Sequence, residues 1–344
     1  SELLAAPLLI KRGKAKPGIG FQGKIFEAMP PYSREVAFST KLISAKAIEV
    51  GGVPIDTYRW RTDILEQGTS LETVLNGQGR LIQTTMMKLM VLRSEPEEMA
   101  KTLESVPDVL NLSMVRADQN LGKPNDLDSV KMKIAIKDPP KALLQSNLKI
   151  LSRDESQITI EIKRRAIPDQ INEIGLVDEK TSHYLEASPM IQSDHVEIRS
   201  VAEDLIRGLT SSKSKIERIL SHVHGNIRKT YRAQLSNALD VLRKPEGDCT
   251  EHTVLFVALV RAIGIPARPV MGLTYTRTSG GGFGGHAWAE VFIGGQWYAV
   301  DPTANQMSAD PSHIPLATGN LEELSKISKY IGSLKIEILG SKGR

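Results

Sequence analysis

The sequence predicts an α+β protein in which a mainly antiparallel β domain precedes a domain that opens with helices and closes with a sheet. Three observations carry this. In the first half, KMKIAIK and QITIEIK alternate apolar and polar residues with period two. From residue 193 the apolar spacing becomes helical, and beyond Pro266 it returns to strands in HAWAEVFI and QWYAV.

A chain of 344 residues exceeds what one core usually organises, so two domains are expected. The first, residues 1–170, reads as strands separated by turn signals at Gly51-Gly52, Asn76 to Gly79, Asp138-Pro139-Pro140 and Arg153 to Glu155. A short helix is expected near Ser94, with Pro96 and two glutamates in its first turn. The methionines at 86, 87 and 90 read as core fillers. Residues 171–192 lose all periodicity and form the expected linker.

The second domain, residues 193–344, starts with a stripe of Ile198, Val201, Ala202 and Leu205, with Asp194 as candidate cap and Gly208 as stop. A second stripe runs through Ile216, Ile219, Leu220, Val223 and Ile227, and a third helix begins at Cys249 and ends at Gly264 and Pro266.

Composition narrows the function classes. Hydrophobic residues at 40% and charged residues at 24% describe an ordinary folded chain. The 44 basic against 40 acidic residues are scattered, which speaks against nucleic acid as a partner. KRGKAK at 11–16 and KRR at 163–165 read as solvated arms or strand edges. No apolar stretch approaches the roughly 20 residues of a membrane span. The chain opens on Ser1, so a trimmed N-terminus and an extracytoplasmic location stay open, as does the oligomeric state.

The single cysteine sits in GDCTEHT, ahead of the apolar run TVLFVALVRAIG. One cysteine cannot form an internal disulfide, so the thiol itself is the informative group. Asp248 followed three residues later by Glu251 has the form of a capping box, which makes Asp248 the N-cap and Cys249 the first helical residue. Free backbone N–H groups and the helix dipole favour an anion there, and the thiolate is the nucleophilic form of cysteine. A buried core cysteine would sit within the apolar run instead.

Downstream, HAWAEVFIGGQWYAVDPT contains a hairpin signal at Gly294-Gly295. A turn symmetric about these glycines pairs Ile293 with Gln296 and sets Trp288 opposite Asp301. His286 and Asp301 then become diagonal neighbours within reach of each other, whereas an asymmetric turn would separate them. Cysteine, histidine and aspartate are the nucleophile, base and orienter of covalent acyl chemistry.

These stretches, GDCTEHTVLFVALVRAIGIPAR and GGHAWAEVFIGGQWYAVDPT with the spacing between them, resemble the transglutaminase-like superfamily, whose core is related in architecture to papain-like cysteine proteases. The resemblance covers roughly residues 180 to 310 and leaves the first domain out. It implies a cysteine-dependent acyl-transfer enzyme acting on amide bonds of a peptide or protein substrate, with no cofactor. Cys249 is then the nucleophile, His286 the general base and acid, and Asp301 the residue that orients the imidazole. Animal transglutaminases place a tryptophan upstream of the cysteine to help hold the oxyanion, but the tryptophans here are Trp60, Trp288 and Trp297. The Cys249 N–H is one oxyanion donor, and Gln234 and Tyr231 are candidates for the second.

His252, three residues after Cys249, is a rival base or half of a Cys-x-x-His metal pair, but one cysteine falls short of a structural zinc set and no metal is expected. GGGFGG at 280–285 precedes a strand rather than a helix N-terminus, so it reads as a flexible loop carrying Phe283 over the cleft, with Trp288 and Trp297 as further lining. Arg268 reads as structural. Water as acyl acceptor is slightly favoured over an amine, because it needs no dedicated second site. The alternative from another class is a non-catalytic module that holds peptide or glycan in the same cleft.

Overall fold

The computed structural model describes residues 5–27, 34–50, 53–64, 69–86, 90–94, 114–145, 148–169, 179–230, 236–277, 281–319, 330 and 334–343. It is an α+β protein. The chain divides into two compact units, Ser1–Ser113 and Met114–Arg344.

The first unit is a six-stranded antiparallel meander, β1 (Gly20–Glu27), β2 (Arg34–Val50), β3 (Val53–Ile64), β4 (Thr69–Asn76), β5 (Leu81–Met86) and β6 (Met90–Arg93), paired in chain order. Alternation in β2 buries Val36, Phe38, Thr40 and Leu42 on one face. A helix, α1 (Ala5–Lys11), contributes Ile10 to a cluster with Leu42, Trp60 and Leu75. The helix anticipated near Ser94 and the side chains of the three methionines lie outside the described residues.

The second unit begins earlier than the expected boundary near residue 170. The alternating stretches form strands as expected, β8 (Leu127–Ala135) and β10 (Gln157–Lys163), and the two pair with each other, Ile158 with Ile134 and Ile160 with Met132. Their sheet, however, is completed by β9 (Lys149–Arg153) on one edge and by β17 (Lys335–Gly343), from the far end of the chain, on the other. Pairing over that sequence distance ties residues 127–163 to the C-terminal half, so the boundary falls after Ser113.

The other sheet runs β15 (Gln296–Val300), β14 (Gly282–Ile293), β13 (Ala267–Thr276) and β16 (Ile314–Thr318), with β7 (Val115–Arg116) on β14. One core cluster packs α2 (Val196–Ile206), α3 (Ser212–Asn226) and α5 (Cys249–Ala262) against Ala267, Ala289, Val291 and Val300. A second cluster joins the two sheets through Met132, Ile134 and Ile160 on one side and Leu273, Tyr275, Phe283 and Ile314 on the other. The predicted stripes are the buried faces: Ile198 and Ala202 in α2, then Ile216, Ile219, Leu220 and Val223 in α3. The α2 cap is His195 rather than Asp194, with Nδ1 accepting from the Glu197 N–H. A two-residue parallel pair, β11 (Arg228–Lys229) with β12 (Glu246–Gly247), and a short helix, α4 (Ala238–Arg243), precede α5. Among the described residues no helix is long and apolar enough to cross a membrane.

Candidate active site

Helix α5 is buried along almost its whole length, from Thr250 to Arg261, which fixes its first turn relative to the sheet. The capping box is complete. Asp248 Oδ1 accepts from the Thr250 N–H at 2.8 Å, and Glu251 Oε2 accepts from the Asp248 N–H at 2.9 Å. Glu251 Oε1 also accepts from the Ser236 N–H at 3.1 Å, tying the preceding segment to the same turn. Burial raises the Glu251 carboxyl to about 7, with the hydrogen bond and charge of Asp248 adding to it. Cys249, the first helical residue, is partly exposed and reduced.

The hairpin has the anticipated register. Ile293 pairs with Gln296, and the ladder runs back to Ala289 with Val300. Gly294 and Gly295 have φ of 57° and 79°, the left-handed conformations a two-residue turn between twisted strands requires. Beyond Val300 the chain turns at once, Asp301 and Gln306 exchanging backbone hydrogen bonds of 2.9 Å. Asp301 Oδ1 accepts from the N–H groups of Thr303 (2.8 Å) and Ala304 (3.1 Å), so the carboxylate is locked by its own turn. The Thr303 carbonyl in turn accepts from His224 Nδ1 and Lys229 Nζ.

His286, on β14, donates from Nε2 to Asp301 Oδ2 at 2.9 Å, and the Cys249 thiol is among the groups that favour its charged form. With Nε2 committed to the carboxylate, Nδ1 is the ring nitrogen left for the thiol. Burial alone would lower the imidazole, but the Asp301 charge and hydrogen bond, helped by Cys249, raise it to about 10. Burial pushes Asp301 the other way, and the charges and hydrogen bonds of His286 and His313 outweigh it to hold the carboxyl far below its usual range.

His313 and Asp310 are the residues the sequence reading missed. His313 donates from Nε2 to Asp301 Oδ2 at 3.2 Å, and its Nδ1 faces the Asp310 carbonyl at 3.0 Å and Asp310 Oδ1 at 3.3 Å. Burial opposes its charged form, but the hydrogen bonds and charges of the two aspartates raise it to about 9. The only local signal was DPSH, an aspartate three residues before a histidine. Among the described residues, His286, Asp301 and His313 are the one cluster close enough to share a metal ion, with donor atoms within 4.8 Å of one another. The two hydrogen bonds to Asp301 account for that spacing.

The remaining candidates separate. His252 is fully buried, donates from Nδ1 to the Asp248 carbonyl at 2.6 Å, and is held neutral chiefly by burial. It is thus turned to its own helix end. Phe283 corrects the loop reading: it lies in β14, fully buried, with its ring 5.6 Å from Tyr275. Trp288 is buried with its ring stacked 6.2 Å from His286 and edge-on to His313 at 5.0 Å. Trp297 lies 4.1 Å under the Arg268 guanidinium, which is paired with buried Glu290 at 2.7 Å. Both tryptophans line a pocket of about 70 Å³ whose walls include His313 and Asp310 but not Cys249. Tyr231 and Gln234 lie outside the described residues. In the KRR run, Arg164 is structural, donating to the carbonyls of Leu127, Ser308 and Asn125.

Residues 199–302 match the model of the transglutaminase-like superfamily. Among solved structures the chain is similar to a candidate cysteine protease from Cytophaga hutchinsonii, 17% identical with a TM-score of 0.42, over 61% of this chain and 82% of that one. It is also similar to a candidate protease from Parabacteroides distasonis, 11% identical with a TM-score of 0.26, over 80% and 68% of the two chains. No curated protein matches significantly. Cys249, His286 and Asp301 all fall within the stretch that matches the transglutaminase-like superfamily model.

Proposed function

We propose that the protein is a cysteine-dependent acyl-transfer enzyme acting on amide bonds of a peptide or protein substrate. The observation that carries this reading is a thiol at a helix N-terminus together with an imidazole held at 2.9 Å by a buried carboxylate, the thiol being among the groups that favour the charged imidazole. A scaffold that only binds has no chemical need for all three.

In the proposed reaction the Cys249 sulfur, its proton passed to His286, attacks the amide carbonyl and forms a C–S bond. The helix N-terminus supports the developing oxyanion. As the C–N bond breaks, His286 returns the proton to the departing amine, leaving an acyl-thioester. Water, deprotonated by the same imidazole, resolves it to a free acid and regenerates the thiol. A primary amine would give a new amide by the same second step. Hydrolysis is the favoured outcome because water needs no binding site of its own. Asp301 keeps the imidazole in one orientation and stabilises its cation throughout.

Intact-mass spectrometry during incubation with a library of peptide amides tests this. The expected result is a transient acyl adduct that maps to Cys249 and is absent from Cys249→Ala. Absence of any adduct or product from a wild type whose thiol still alkylates with iodoacetamide would overturn it.

A further inference from the structure

Asp301 is an acceptor with every position filled. Oδ1 takes two backbone N–H groups, while Oδ2 is shared by His286 at 2.9 Å and His313 at 3.2 Å. An ionised carboxylate only accepts, so His313 Nε2 carries a hydrogen. Its other nitrogen faces a carbonyl and a second carboxylate, both also acceptors, so Nδ1 carries a hydrogen too. His313 is therefore an imidazolium, buried at 5% exposure, and the charges alternate from His286 through Asp301 and His313 to Asp310. Asp310 is itself fixed by Ser312 and Gln306, and burial, which would raise it, is outweighed by His313.

We propose that His313 is a positioning residue for the Cys249–His286 pair, holding the same Asp301 oxygen that His286 uses and drawing off part of its negative charge. The inference rests on the acyl-transfer reading and extends it to residues beyond the stretch matched by the family, which ends at 302. Its consequence concerns the return of the proton. Asp301 facing His286 alone would bind the imidazolium so firmly that proton delivery to the leaving amine would suffer. A second cation on the same oxygen, its ring 5.7 Å from that of His286, weakens that grip by charge sharing and direct repulsion. The charged and titratable groups facing His313 are Asp301, Asp310 and His286, with Glu290, Lys163 and Arg165 on the walls of the shared pocket. Trp288, edge-on at 5.0 Å, keeps the remaining side apolar.

The test uses the full chain, ¹⁵N-imidazole NMR titration and the rate of Cys249 alkylation by iodoacetamide, in wild type, His313→Gln, His313→Leu and His286→Ala. Glutamine keeps an N–H for Asp301 and removes the charge. In that variant His286 should hold its proton to higher pH, by about half to one unit, with alkylation at neutral pH within about threefold of wild type. Leucine removes the donor as well, and alkylation should fall about tenfold or more as the carboxylate loses one of its anchors. A His286 titration unchanged in the glutamine variant would mean that His313 only fills space, and the proposal would fall. Should the leucine variant not fold, the glutamine titration alone decides. His286→Ala is the separate control: an unaltered alkylation rate there would sink the Cys249–His286 reading itself.

Discussion

His286 Nε2 lies 2.9 Å from Asp301 Oδ2 although the strands that deliver them stop pairing at Ala289 and Val300. The final approach is made by the tight turn at Asp301, whose two backbone N–H bonds to Oδ1 aim Oδ2 at the imidazole. Those bonds also dictate the effect of Asp301→Asn. The amide oxygen must stay on Thr303 and Ala304, so the NH₂ group faces His286. It donates where the carboxylate accepted, forcing the proton onto Nδ1, the nitrogen that should take the thiol proton. Serine triads lose about 10⁴ in turnover from the equivalent change, and a cysteine, more easily ionised, should lose less, roughly 10² in alkylation rate at neutral pH. Alkylation profiles that superimpose in two folded proteins would show that Asp301 does not control His286.

The two histidines near the thiol should separate cleanly. His286→Ala is expected to abolish acyl-adduct formation. His252→Ala should leave much of it, because His252 gives Nδ1 to the Asp248 carbonyl and not to Asp301. Its cost should appear in stability instead, about 1–3 kcal/mol for a cavity in the α5 core, read from thermal unfolding. The reverse pattern would move the base onto the helix.

Stability should depend on pH on both sides of neutrality. His286 and His313 are raised to about 10 and about 9, so their contribution is complete below the unfolded value near 6.5 and is lost as pH climbs through 9 to 10. Asp301 and Asp310 are depressed, so theirs is complete above the ordinary carboxylate range and is lost as pH falls below it. Glu251, raised to about 7, adds a loss as pH rises from the ordinary glutamate value towards 7, so unfolding temperatures should be highest at about pH 4 to 5 and should decline towards pH 10. Asp301→Asn should flatten that alkaline decline. An equally steep decline in the variant would place its origin elsewhere.

Gly272 on β13 pairs with His286 on one side and Pro315 on the other. A Cβ there would meet the Ile314 carbonyl oxygen at 1.9 Å and the Trp288 ring at 2.8 Å. Gly272→Ala should therefore displace β16 or Trp288, costing about 1–3 kcal/mol and slowing Cys249 alkylation, since the Trp288 ring packs against both His286 and His313. Wild-type unfolding temperature in this variant would show that the strands are free to separate there.

Local chemistry wrote part of this protein directly into its sequence. Period two in KMKIAIK and QITIEIK needs only neighbouring side chains to alternate, and it names the buried faces of β8 and β10. The aspartate-to-glutamate spacing closes a capping box within one turn, which sets Cys249 at the helix start. Gly294-Gly295 fixes the hairpin register by turn geometry alone as far as Ala289 with Val300, which brings Asp301 to the end of the strand beside His286. Tertiary structure decided whatever depends on partners distant in sequence. The boundary after Ser113 follows from β17 pairing with β8. Phe283 is a core residue because Tyr275 of the neighbouring strand packs against it. His313 joins Asp301 from the loop before β16, a meeting that no periodicity encodes, because buried charges are paired by the fold and not by spacing along the chain.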